Sequence, residues 1–142
     1  MATLKTNTLT GTSTAGSIAV TGEGNSTTTN MQNGLAKAWV NFDHTTIDGT
    51  ADLTGVRKGF NITSVVDVNT GRANTNLTNP MADADHISTG SAGDASQSGA
   101  RNIHLDDGGG NTSSAIVSNV ENNASTPTDG EYVAIVTHGD LA

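Results

Sequence analysis

Residues 34–42, GLAKAWVNF, set Ala36, Ala38, Val40 and Phe42 on one side of an extended chain and Lys37, Trp39 and Asn41 on the other. That period of two predicts a strand with one buried face. Residues 59–68, GFNITSVVDV, repeat the pattern, with Phe60, Ile62, Val66 and Val68 expected on one face and Asn61, Thr63 and Asp67 opposite. Asn69-Thr70-Gly71 has the chemistry of a tight turn and 73–78 returns, so 60–78 is predicted as a hairpin that Pro80 ends. Four further strands are expected over 86–89, 101–105, 115–120 and 131–137, with turn-rich segments at 44–55, 90–99, 106–111 and 122–130 between the runs. No window sustains a helical period, and the Ala-rich stretch 92–100 is interrupted by Gly93, Ser96 and Gly99. About seven short strands in 35–142 predict an all-β domain, a β-sandwich or a small barrel. Val40, Phe42, Phe60, Ile62, Val66, Val133 and Ile135 are expected in its core or at an interface between copies.

Residues 1–34 differ. Leu4, Leu9, Ile18 and Val20 are the only large aliphatics before Met31, in two β-prone pieces, 3–10 and 17–21, joined by a turn at 11–16 and followed by a linker at 22–30. Such a segment lacks the side chains for a core. It is expected to be an extended arm for assembly, anchored by those four residues on another subunit, with strand addition supplying its backbone bonds.

Composition sharpens this picture. Thr, Gly, Asn and Ser number 23, 17, 15 and 12, while Val, Ile, Leu and Phe together supply 26 of 142 residues. So few large apolar groups would signal disorder if charge were also high. Charged residues make up only 14% of the chain, and Thr, Asn and Gly suit strands and tight turns. A chain of this balance completes its buried surface against copies of itself, so an obligate oligomer is expected.

Chemistry is sparse. The net charge of −8 with six basic residues argues against phosphate-led binding of nucleic acid. No apolar run reaches membrane-spanning length, residues 1–20 lack the apolar stretch of a signal peptide, and zero cysteines exclude disulfides and thiolate chemistry. His44, His86, His104 and His138 show no zinc-type spacing and are expected at strand edges or in loops. Asp106-Asp107-Gly108-Gly109-Gly110-Asn111 fits a turn better than a calcium loop, since Val117 stands where the closing Glu would be needed. Gly22-Glu23-Gly24 lacks the third glycine of a dinucleotide loop, and no Gly-x-Ser-x-Gly elbow occurs. Asp83 and Asp85 are a carboxylate pair better explained as solvated. No catalytic residue, metal or cofactor is predicted. Trp39 and Tyr132, two of only four aromatics, are expected in the core or an interface, with a sugar-stacking platform as the alternative.

GLAKAWVNF (34–42), GFNITSVVDVNTGRANTNLTNPMADADHISTGSAG (59–93) and DGEYVAIVTHG (129–139) together resemble a β-domain of virion proteins from tailed bacteriophages. The likeness is to tail-fibre-like and other structural proteins of phages that infect marine cyanobacteria. Residues 2–9 and 16–20 resemble the leader that precedes that domain. Three departures stand out: Pro80 precedes Met81, His86 replaces an aromatic, and 44–55 is longer and more acidic. They bear on a receptor pocket and not on the fold. The resemblance implies a non-enzymatic virion protein of the tail-fibre type, homotrimeric, made in the host cytoplasm and exposed on the particle. Its implied partners are itself, other tail or capsid proteins and a host-surface glycan. A capsid decoration, or cement, protein whose 1–34 arm clamps neighbouring capsid subunits is the alternative.

Overall fold

A computed structural model describes residues 5–10, 18–21, 28–95, 101–105 and 110–142. The chain divides into two compact units, residues 1–35 and 36–142. In the first, β1 (Ala19–Thr21) and β2 (Thr28–Asn30) form an antiparallel hairpin followed by one helical turn, α1 (Met31–Gly34). The Met31 amide closes this unit on the Ile18 carbonyl at 2.9 Å. A strand at 28–30 corrects the expectation of a linker over 22–30, and Thr28 and Thr29 give it β-branched residues. Leu9 and Val20 are exposed, Ile18 is half-buried, and Leu4 lies outside the described residues.

The second unit is a β-sandwich. Its strands are β3 (Ala38–Phe42), β4 (Val56–Phe60), β5 (Ile62–Asn69), β6 (Arg72–Leu77), β7 (Ile87–Gly93), β8 (Arg101–Leu105), β9 (Ala115–Asn122) and β10 (Tyr132–His138). One antiparallel sheet has the order β4-β3-β10-β7, the other β5-β6-β9-β8. The two sheets stay open rather than closing into a barrel, which decides between the two expected architectures.

Their inner faces meet in one core. Ala38, Val40, Phe42, Val133 and Ile135 line the first sheet, and Val65, Ala73, Leu77, Ile116 and Val120 the second. Cross-strand register explains the match: Val40 sits opposite Ile135, and Phe42 opposite Val133, so alternating residues fill one face together. Thr75, Ser118 and Thr137 are buried among them. The Thr137 hydroxyl bonds that of Ser88 at 2.8 Å, and the Ser118 hydroxyl reaches the Ala73 carbonyl at 3.4 Å.

The segment predicted as one strand over 59–68 is two. Asn61 adopts a left-handed backbone conformation, φ 60°, and hands the chain from the first sheet to the second. Asn tolerates that region better than most residues. Its side chain then fixes the corner, donating to the carbonyls of Lys37 and Asn79 at 3.0 Å and accepting the Asn79 amide at 2.7 Å. Phe60, before the corner, stays on the outer face of the first sheet opposite Trp39, and just beyond the corner a bulge between Ile62 and Ser64 leaves Thr63 as an extra residue and shifts the pleat by one. Phe60 therefore faces solvent, and Val65 rather than Val66 enters the core; Val66 is half-buried on the opposite face and Val68 is exposed. Ile62 packs against the core from its margin. At the hairpin turn Gly71 has φ 78°, and a Cβ there would lie 2.5 Å from the Val120 carbonyl oxygen, so both backbone and space require glycine.

The acidic segment 43–55 has a structural task. Asp43, Asp48 and Asp52 each accept the amide of the residue two positions on, Thr45, Thr50 and Thr54, at 3.1, 2.7 and 2.7 Å. These turns run the segment along the free edge of β5, where the Val65 and Asp67 amides donate to the Asp52 and Asp48 carbonyls at 2.8 and 2.7 Å.

Phe42→Ala is expected to cost about 3–5 kcal/mol in a urea titration, and Phe60→Ala less than about 1 kcal/mol. Hydrogen bonds from the Thr50 amide and then its hydroxyl hold the Asp48 carboxyl below the ordinary aspartate range. A lowered folded-state value means that the contribution is present above the ordinary range and lost as pH falls through the lowered one. A carboxyl-detected NMR titration should place the Asp48 transition below that of an unstructured aspartate, and Asp48→Ala should flatten the acid limb of the stability curve.

Candidate functional site

Strand alternation that buries Ala38, Val40 and Phe42 turns Trp39 and Asn41 outward. Register carries the outer face across the first sheet. Trp39 lies opposite Phe60 on β4 and Val136 on β10, and Val136 opposite Thr89 on β7. The next row reads Lys58, Asn41, Ala134 and Ser91. At the far end Tyr132 lies opposite Gly93, four residues from Val136, about 14 Å along the strand. Three of the chain's four aromatic rings thus share one solvent face. Trp39 is 38% exposed, Tyr132 48% and Phe60 54%.

At Tyr132 the face is braced by Arg57. The guanidinium carbon sits 4.4 Å from the ring centroid, the range of a cation–π contact. The same guanidinium bonds the Asp43 carboxylate at 2.9 Å and the carbonyls of Phe42 and Glu131. Arg57 reaches these groups because the pairing of β3 and β4 is bulged at Asn41/Phe42, leaving it as the extra residue. Lys58 beside it is exposed.

A second, buried constellation was invisible in the sequence. His44 stands in the turn just after β3, the loop position expected of it, and its side chain is fully buried there. Its Nε2 lies 3.5 Å from Asp67 Oδ1 and 3.6 Å from Asp129 Oδ1, within ion-pair range but long for hydrogen bonds. Asp129 also accepts the Gly71 amide at 2.7 Å, and the His44 amide donates to the Gly130 carbonyl at 3.0 Å. The cluster thereby ties the 43–55 segment, the β5–β6 turn and the loop before β10 together. It has no neighbouring nucleophile among these contacts, and its role is to hold segments. The three residues are far apart in sequence, which leaves no local spacing to detect.

Of the other histidines, His86 is buried with Nε2 3.2 Å from the Thr112 carbonyl oxygen, and His104 is exposed 3.6 Å from Glu121. Asp83 and Asp85 are exposed. The Asp106–Gly109 part of the acidic glycine loop lies outside the described residues. Among the described residues no group of three or more His, Asp or Glu side chains is arranged to hold a metal ion, and no helix is long and apolar enough to cross a membrane.

The expected core and interface set therefore divides in two. Val40, Phe42, Val133 and Ile135 are core, with Ile62 at its margin, whereas Trp39, Phe60 and Tyr132 form the outer face of the first sheet. Comparison with known proteins adds nothing to this picture: no family model, no curated protein and no solved structure matches the chain.

Proposed function

We propose that this chain is a non-enzymatic structural protein of a bacteriophage virion, of the tail-fibre type, which works as an oligomer exposed on the particle. The observation that carries the reading is how the chain spends its scarce apolar side chains. A fold with so few of them leaves Trp39, Phe60, Tyr132 and Ile87 exposed on one face of one sheet, and Leu9, Val20, Leu35, Leu53, Val68 and Leu141 exposed elsewhere. Exposed apolar groups gathered on one face mark an interaction surface. An assembly protein needs such surfaces. The sequence resemblance supplies the phage virion as the setting, with other tail proteins and a host-surface glycan as partners.

Capsid decoration is the second reading, favoured by one feature. Residues 1–35 form a separate compact unit with Leu9 and Val20 exposed, suited to clamping a neighbouring protein.

Sedimentation at low micromolar concentration should show no stable folded monomer; a compact monomer would contradict the oligomeric reading. Immunogold labelling of virions, with copy number per particle, separates the two sites: tens of copies or fewer on the tail for a fibre, hundreds on the head for decoration. Residues 36–142 expressed alone should keep their β-type circular dichroism, because the core cluster lies entirely within them, yet they should fail to occupy particles that lack the full chain.

A further inference from the structure

The two sheets have four edges, and three carry a feature that discourages further pairing. Backbone bonds from Asp48 and Asp52 occupy the edge of β5. β4 is bulged and carries Arg57 and Lys58. β8 has five residues, among them Arg101 and His104. Bulges, charges, shortness and covering segments are the devices that stop a sheet edge from recruiting another strand.

Among the described residues the edge of β7 carries none of them, although β8 packs close against the strand, with Ile103 Cδ1 3.2 Å from where a Gly90 Cβ would stand. The seven residues of β7, ISTGSAG, include no charge and no proline, and its register with β10 is unbroken. Among the described residues, β10 is the only strand paired with it, and no loop backbone bond reaches it. In a chain of net charge −8, an uncharged open edge is where two copies meet with least repulsion. Asp94, the first charged residue beyond it, is neutralised by Arg101 at 2.7 Å.

We infer that β7 pairs antiparallel with β7 of a second copy, about a two-fold axis at Gly90, joining the two first sheets into one of eight strands. Full overlap of the strand with itself sets that register, placing Ile87 opposite Gly93 of the second copy and Thr89 opposite Ser91. The pleat agrees, because Ile87 and Gly93 belong to the same outer face. Ile87 is 76% exposed, the largest value among the exposed large hydrophobic residues. Gly93 has no side chain, so Ile87 reaches over it to Tyr132 of the second copy, which lies opposite that glycine. The two-fold axis makes this contact twice. Pairing seven residues adds roughly six to eight backbone hydrogen bonds. The contact deepens the oligomeric part of the proposed function and rests on it, with a two-fold in place of the trimer that the resemblance implies.

Sedimentation equilibrium across the micromolar range, with circular dichroism as the check on folding, tests the contact. The wild-type chain is expected to dimerise, and Thr89→Lys, an exposed edge substitution, to weaken dimerisation at least ten-fold, with the β-spectrum matching that of the wild type at concentrations where the variant is still dimeric. A Thr89→Cys/Ser91→Cys variant reads the register directly. Opposed Cα atoms about 4.5–5.5 Å apart suit a disulfide, and the chain has no other cysteine, so oxidation should yield a covalent dimer. An oligomer untouched by Thr89→Lys, with no cross-link from the double variant, overturns the β7 contact and leaves the oligomeric reading standing. A wild-type monomer throughout the range overturns both. If Thr89→Lys fails to fold, the cross-link alone decides.

Discussion

The sandwich is held by a thin core with one aromatic ring at its centre. Phe42 is the only Phe, Tyr or Trp fully buried, and with it in the core stand Val, Ile and Ala side chains, Met81 and Leu77. Small residues fill the remaining space, so the two sheets gain little dispersion energy per residue and depend on close fit. The buried hydroxyls of Thr137 and Ser118 are bonded, whereas the Thr75 hydroxyl has no hydrogen-bond partner among the described residues, a cost that so lean a core also carries. The His44–Asp67–Asp129 cluster and the Asp-x-Thr turns hold segments by polar contacts where apolar ones are lacking.

Much of this was legible in the sequence where a strand was regular. The alternation over 34–42 and the run at 131–137 place Val40, Phe42, Val133 and Ile135 inward, as found. It failed at Asn61. A single left-handed residue and the bulge just after it leave no mark on hydrophobic periodicity, yet the first transfers the chain between sheets and the second moves the inward set from Val66 to Val65. Alternation also could not separate core from interface at the solvent face. Trp39, Phe60 and Tyr132 are equally apolar whether they face a core or water, and only cross-strand register tells which rings share a surface. His44 was lost for a third reason: its partners come from β5 and from the loop before β10, so proximity exists only after folding.

Separating an inner face built for fit from an outer face rich in exposed rings gives the domain a division of labour. The inner face tolerates little change in volume. The outer face can vary its chemistry without disturbing the core, because its side chains leave the sheet on the opposite side of the pleat. Arg57 links the two regimes by bracing Tyr132 from outside while bonding the Phe42 carbonyl at the edge of the core.

The place of β10 has a consequence for how the domain is made. It lies between β3 and β7, and Phe42 pairs with Val133 across about ninety residues of chain. In the second sheet, β5 with β6 and β8 with β9 are neighbours in sequence, so those pairs close short loops and form early. In the first sheet only β3 with β4 is such a pair, and it closes the longer segment 43–55. Until β10 emerges and docks, β3 and β7 each carry an additional unpaired edge, and the inner face of the second sheet is uncovered. A ribosome translating this chain therefore holds a half-sandwich until its last strand arrives, and every earlier pause prolongs the interval in which neighbouring nascent chains can cross-pair.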